Sequence, residues 1–341
     1  MNPRRVLFIR LSAMGDILLI TPVLRLFHER FPETQIDVLV KRQFAQLLQY
    51  HPLIRNLIQL PDKPGLRELF SVVRLLRSQK YDMIFDLQKH WRSYFLTARA
   101  KSKTVRRYKK YAFQRFLLVR WKINRYKGIP EYIPERYFYA LRSPDIKWQK
   151  RNPEFHIPDA IRNEAARKYS FPQNGMTVAI APGAAWRTKR WPVSHFIALI
   201  QLIRKEFHAT FIILGGKSDR DVCAEITAQV GVPAVNLCGQ TSLLESGAVM
   251  SRCELLVTND TGMMHVATAL GRKVIAVFGP TVKEFGFFPF SDVAEVVENR
   301  HISCRPCSYH GSDRCPKKHF RCMEEIKPEQ VFQAVTRVLA N

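Results

Sequence analysis

Short apolar runs, each closed by a glycine or small polar turn and followed at once by a helical stretch, recur along this 341-residue chain and leave it few folds. Residues 5–10 (Arg-Val-Leu-Phe-Ile-Arg) read as a strand, Ser12-Ala13-Met14-Gly15-Asp16 as a turn, and 17–31 carry helical periodicity. Residues 35–40 and 81–87 read as further strands, and 91–139 as a mostly helical, basic and aromatic stretch. A second cycle starts with a strand at 176–181 and turns at Pro182-Gly183-Ala184-Ala185. A helix at 194–207, strands at 209–214, 254–257 and 273–278, and a last helix at 324–339 complete it. Strands alternating with helices of this length build βαβ units and parallel sheets. The chain therefore reads as α/β with two Rossmann-like domains, 1–160 and 173–323, whose parallel sheets face a central cleft. Residues 324–341 are expected to pack back on the first domain. The join falls in 152–172, which contains three prolines.

Charge divides the chain unevenly. The formal net charge is +25, and residues 63–151 hold 24 Lys/Arg against 6 Asp/Glu, so +18 of it lies in that stretch. Such a field attracts nucleic acid, anionic lipid headgroups or polyanionic substrates, unless it is only a basic surface without a partner. An apolar content of 46% excludes a disordered chain. The apolar stretch 6–19 is broken by Arg10 and Asp16 and has no cleavage site after it, so it reads as neither signal peptide nor membrane span. The expected compartment is the cytoplasm, with the seven cysteines mostly reduced and peripheral attachment to the inner membrane surface open.

The strand ends carry the candidate chemistry. Thr258-Asn259-Asp260-Thr261-Gly262-Met263-Met264-His265 lies between an apolar strand and a helix. There, helix N–H groups meet anions and Gly262 lets a ligand near the backbone. Thr261 is placed to cap the helix, and His265 sits one turn inside it. The turn at Gly183, Ala184 and Ala185, followed by Thr188 and Lys189, can cradle a diphosphate, with Lys189 as a point charge; three cations within 187–190 also suit a solvated loop. Asp16, at the end of the first strand beside Gly15, would repel phosphate. It suits a general base, or equally a first-turn carboxylate that favours the helix dipole. Gln88, Arg92 and Arg115 are the basic region's candidates for facing a ligand, since a guanidinium fork matches carboxylate and phosphate.

Cys304-x2-Cys307-x7-Cys315-x6-Cys322, with His301, His310 and His319 interleaved, has the clustering of a structural zinc site, although the second pair is not C-x2-C. Free thiols and disulfides stay open. Cys223, Cys238 and Cys253 read as small buried apolar residues.

Together, residues 5–16, Lys189-Arg190-Trp191-Pro192, Asp260-Thr261-Gly262 with His265, and Cys304-x-Pro306-Cys307 resemble the bacterial lipopolysaccharide heptosyltransferases of glycosyltransferase family 9. The resemblance runs through nearly the whole chain in the expected order. It implies a GT-B fold and an inverting, metal-independent transfer of L-glycero-D-manno-heptose from ADP-heptose to the Kdo/heptose inner core linked to lipid A. No cofactor is required for that reaction. Asp16 would be the base. Gly183, Ala184, Ala185, Thr188, Lys189, Asp260, Thr261, Gly262 and His265 would hold the donor, and Gln88, Arg92 and Arg115 the acceptor. The loop Gly215-Gly216-Lys217-Ser218-Asp219 would help hold the nucleoside. An anionic membrane surface would be a partner and nucleic acid would not. The competing readings are a GT-B transferase with another nucleotide-sugar donor and a basic nucleic-acid-binding protein with a zinc knuckle at the cysteines.

Overall fold

A computed structural model describes residues 3–143, 145–169 and 175–340. The Pro172 end of the expected join and the expected start of the second domain at 173 lie outside the described residues. The chain forms two compact units: Met1–Tyr111 with Pro130–His156, and Ala112–Ile129 with Ile157–Asn341.

The first unit holds a five-stranded sheet of β1 (Arg5–Ile9), β2 (Gln35–Lys41), β3 (Ile54–Leu60), β4 (Met83–Asp86) and β5 (Thr104–Arg107), in the order β3-β2-β1-β4-β5. Every pairing is parallel. Val6, Leu7, Phe8 and Ile9 of β1 are fully buried, as a central parallel strand covered on both faces must be. On one face Phe8 stacks on Phe85 with centroids 4.7 Å apart, and Phe27 of helix Thr21–Arg30 meets both rings edge-on. On the other, Leu7, Ile9 and Leu39 pack with Leu69, Val73 and Leu76 of helix Leu66–Gln79. The single helix expected over 17–31 is two, Met14–Leu18 and Thr21–Arg30, the second with Pro22 in its first turn, where a missing N–H costs nothing.

The second unit holds a six-stranded sheet of β6 (Thr177–Ala181), β7 (Thr210–Ile213), β8 (Ala234–Asn236), β9 (Leu255–Asn259), β10 (Lys273–Phe278) and β11 (Ala294–Glu298), in the order β11-β10-β9-β6-β7-β8. It too is wholly parallel. Renumbered within the unit from β6, its order is the Rossmann sequence 3-2-1-4-5-6, and the first sheet follows 3-2-1-4-5. The last helix, Pro328–Ala340, buries Val331, Ala334, Val335 and Val338 in the second unit's own core with Leu199, Ile203 and Ile275. Its apolar stripe is covered within that core. Helix Ala112–Trp121, within the basic stretch, likewise belongs to the second unit. Among the described residues no helix is long and apolar enough to cross a membrane.

Candidate active site

Each sheet reverses its winding once, between β1 and β4 in the first unit and between β6 and β9 in the second. In open α/β sheets ligands bind beyond the carboxyl ends of strands at such switch points. Asp16, Gln88, the glycine turn at 183–185 and the stretch 258–265 all follow these four strands.

Beyond β1, Asp16 is buried in helix Met14–Leu18. Arg10 Nη2 lies 2.8 Å from its Oδ2, the Ala13 N–H donates to Oδ2 at 3.2 Å, and the Tyr137 hydroxyl donates to Oδ1 at 2.7 Å. Three donors on a carboxylate's four lone-pair directions leave one direction on Oδ1. Burial, its largest influence, works against charge on Arg10, yet Asp16 and its neighbours carry its pKa above the ordinary value. Burial likewise raises the Tyr137 phenol well above its usual pKa, which keeps it a neutral donor to Asp16. Arg10 Nη1 also donates to the Leu87 carbonyl at 2.6 Å, tying the end of β1 to the end of β4.

Gln88 is partly committed to that architecture. Its Oε1 accepts from the Leu11 and Ser12 N–H groups at 2.9 and 3.2 Å, while its own N–H donates to Asp86 Oδ1 at 3.1 Å. Arg92 is half-buried with its guanidinium 4.7 Å from the Trp91 ring centre, and its Nε has no hydrogen-bond partner. Arg115 does not join them within the first unit. It sits on helix Ala112–Trp121 in the second unit, over the Tyr309 ring at 5.2 Å.

Beyond β6 and β9 the second unit gathers most of the expected anion corner. Lys189 Nζ is 2.6 Å from Asp260 Oδ2, and the Thr281 hydroxyl donates to the same oxygen at 2.6 Å. Asp260 thus neutralises Lys189 inside a largely dry pair. Asn259 joins the two strand ends, donating to the Pro182 carbonyl at 2.7 Å and accepting from the Trp191 N–H at 3.1 Å. Thr261 occupies the N-cap of helix Gly262–Ala269, but its side chain makes no capping bond; its hydroxyl lies 3.3 Å from that of Thr258. The cap therefore leaves the first-turn N–H groups to another acceptor. His265 is buried one turn further in.

Two expected donor residues have other work. The Thr188 hydroxyl is spent on Ser312, donating to its carbonyl and accepting from its N–H, both at 2.8 Å, and the side chain is buried. Gly183 is needed for a close approach, but by the protein itself: a Cβ there would stand 2.2 Å from the Asp219 carboxylate carbon. Asp219 accepts from the Gly216 N–H at 2.9 Å and lies 3.6 Å from Arg190, whose guanidinium also donates to the Ala184 carbonyl. Ala185 is exposed in this turn.

The four cysteines cluster closely enough that, second to burial, Cys322 feels Cys307, Cys304 and Cys315, and Cys307 feels Cys304 and Cys315, each neighbour raising the thiol pKa. All four are free, and Cys304 Sγ lies 3.7 Å from His319 Nε2. Among the described residues, however, the one group of three or more ligand atoms within 4.8 Å of one another is His51, Glu154 and His156. Cys322 lies on helix Arg321–Glu324 and faces the apolar core beside Met323 and Ile326, where burial pushes its thiol up to about 12.

In the histidine group the Leu53 N–H donates to His51 Nδ1 at 3.3 Å, and the buried Nε2 has no hydrogen-bond partner. Arg25 meanwhile grips both oxygens of Glu154 at 2.8 and 2.7 Å.

Arg10, Tyr137, Asn259 and Thr281 had no assigned role in the sequence, and Asp219 only as part of the loop expected to help hold the nucleoside. Asn259 stood inside the strand-end stretch, and Asp219 inside a glycine-rich loop, so both had a local signal. Tyr137 lies 121 residues from Asp16 and had none.

Two Rossmann-ordered sheets with their chemistry at the switch points are the GT-B architecture of glycosyltransferases. The chain belongs to glycosyltransferase family 9 (heptosyltransferase), whose sequence model matches residues 69–318. It is 25% identical over 338 residues to lipooligosaccharide heptosyltransferase 2 of Campylobacter jejuni, covering 97% of this chain and 98% of that protein. The structure of Escherichia coli ADP-heptose LPS heptosyltransferase II matches with a TM-score of 0.78 and 22% identity, covering 98% of both chains. Escherichia coli heptosyltransferase WaaC, solved with ADP-2-deoxy-2-fluoro heptose, matches at 0.67 and 18% identity, covering 98% of this chain and 99% of that one.

Proposed function

We propose that this enzyme moves L-glycero-D-manno-heptose from ADP-heptose to the Kdo/heptose inner core of lipopolysaccharide, with inversion and without a metal, at the cytoplasmic face of the inner membrane. The observation that carries the reading is the contrast between the two switch points. The first unit offers a buried, oriented carboxylate, and the second a neutralised corner with an uncapped helix start.

An inverting transfer asks for both. Asp16 accepts the proton of the acceptor hydroxyl on the open direction of Oδ1 as the new glycosidic bond forms. Arg10 and Tyr137 hold it in place. Lys189, the N–H groups at 183–185 and the helix start at Gly262 receive the negative charge that grows on the departing ADP. One such preorganised donor is worth about 2.7–4 kcal/mol of barrier where it has been removed elsewhere. Asp260 and Asn259 act by positioning, and Thr188 through Ser312. Gln88, Arg92 and Arg115 are assigned to the acceptor's carboxylates and phosphates. The solved complex of WaaC with a fluorinated ADP-heptose supports the donor.

The test is ADP release from ADP-heptose with a Kdo-terminated acceptor, alongside thermal stabilisation by ADP, UDP, GDP and CMP. Stabilisation by another nucleotide in preference to ADP would move the enzyme to a different donor class. EDTA treatment should leave the rate unchanged; loss of turnover restored by a divalent cation would overturn the metal-free chemistry.

A further inference from the structure

Helix Ala112–Trp121 carries more bare apolar surface than the fold requires of it. Phe113 is 67% exposed, Phe116 40%, Trp121 57%, and Ile123, just past the helix, 44%. Phe113, Phe116 and Arg120 follow at steps of three and four and share one face. The Trp121 ring meets Phe116 edge-on at 5.2 Å and widens the patch.

The rest of the segment is anchored. Leu118 is buried, and Lys122 Nζ donates to the carbonyls of Cys304 and Pro306 at 2.9 and 2.6 Å. Asn124 donates to Glu284 at 3.0 Å. The aromatic face is thus presented from a fixed platform.

Its charge is one-sided. Residues 112–129 contain five Lys/Arg and no Asp/Glu, and Arg120, Arg125 and Lys127 are exposed. Aromatic and aliphatic groups set among unopposed cations suit the headgroup layer of an anionic bilayer, where rings sit at the acyl boundary and cations meet phosphates. A second copy of this chain would bring the same positive charge against itself.

We propose that this helix and the turn through Lys127 dock the protein on an anionic phospholipid bilayer. Phe113, Phe116, Trp121 and Ile123 enter the interface, while Arg120, Arg125 and Lys127 face the lipid phosphates. The proposal rests on the lipid-linked acceptor proposed above and names the surface that meets the lipid.

Co-sedimentation of the full chain with vesicles tests it. The protein should partition onto phosphatidylglycerol–phosphatidylcholine vesicles, more weakly at high salt, and not onto phosphatidylcholine alone. Both Phe113→Ser/Phe116→Ser/Trp121→Ser and Arg120→Glu/Arg125→Glu should bind about tenfold more weakly or worse, with unchanged melting temperatures. Phe70→Ser, which alters an exposed aromatic of the first unit, should bind like the parent. Turnover of a soluble, lipid-free core acceptor should be the same in every variant, so a failure of the proposed reaction would show there and not in the sedimentation. Parent-like vesicle binding by both patch variants would overturn the proposal. So would an equal loss in Phe70→Ser, or a parent that self-associates through the patch and ignores vesicles.

Discussion

Lys189 is not a loose cation waiting for phosphate. Its partner Asp260 lies 2.6 Å away, and both side chains are largely removed from water. Breaking such a pair from one side leaves a stranded charge, at a cost of about 3–5 kcal/mol. Lys189→Ala should therefore destabilise the protein by about 3 kcal/mol in urea unfolding. It should also weaken ADP binding by about 10–100-fold, the range of one lost charged hydrogen bond. Asp260→Asn keeps an acceptor for Thr281 and frees Lys189, so ADP should bind at least as well as to the parent. Equal losses of ADP affinity in the two variants, read by calorimetry, would mean that Asp260 touches the donor and does not merely position Lys189. At the other switch point, Asp16→Asn should lower turnover by about 10²–10⁴-fold, the usual worth of a general base, with ADP binding intact. Tyr137→Phe should cost about tenfold in turnover, one hydrogen bond's worth, also without change in ADP affinity.

At the scale of elements, the return of the chain from 130 to 156 into the first unit is fastened by a titratable group. Glu154 accepts both Arg25 bonds, its N–H donates to the Thr21 hydroxyl at 2.8 Å, and His156 Nε2 lies 2.8 Å from Oε2. His51 is buried against Glu154, His156 and Arg25, and burial, its largest influence, pushes its pKa down to about 4. The unfolded chain holds a proton on this histidine below about 6.5, whereas the folded protein refuses it until about 4. Its contribution is therefore present above 6.5 and lost as pH falls through that window. The loss reaches about 2 kcal/mol at pH 5. Urea unfolding at pH 7 and pH 5 should show a smaller pH difference in His51→Gln than in the parent; an unchanged difference would remove His51 from the account. The strands legible in the sequence were those at the sheet centres, because β1, β6 and β9 are buried on both faces and read as apolar runs. The strands β3, β5, β8 and β11 were not read, since edge strands are half-exposed and carry residues such as Arg55, Arg106, Asn236 and Glu295. The strand-end turns were legible because their glycines and carboxylates interrupt the apolar runs. Arg10 and Tyr137 were not assigned to Asp16, because only tertiary structure brings them to it.

Over the whole molecule, the two units keep separate cores. One is built on Leu7, Ile9, Leu69 and Leu76, and the other on Ile180, Trp191, Ile275 and Val335, with no residue in common. The proposed donor corner draws only on the second. A ligand stabilises whatever state binds it by RT ln(1 + [L]/Kd), about 2.7 kcal/mol at 100 times Kd. In calorimetry of the full chain, saturating ADP should therefore raise the transition of the second unit. The first unit should melt where it did before, reported by the fluorescence of a single tryptophan kept in each unit in turn. Trp191 serves in the second unit: it is fully buried, and its indole N–H donates to the Ile326 carbonyl at 2.9 Å, so its environment changes when that core opens. Trp91 serves in the first, although its 53% exposure makes its signal smaller. At the same ADP concentration Lys189→Ala should cut the ADP stabilisation to about 0.4–1.4 kcal/mol without moving the first unit's transition. Equal ADP shifts at both tryptophans would mean that the units unfold as one body and that nucleotide binding draws on both; a shift confined to Trp91 would put the donor on the wrong sheet.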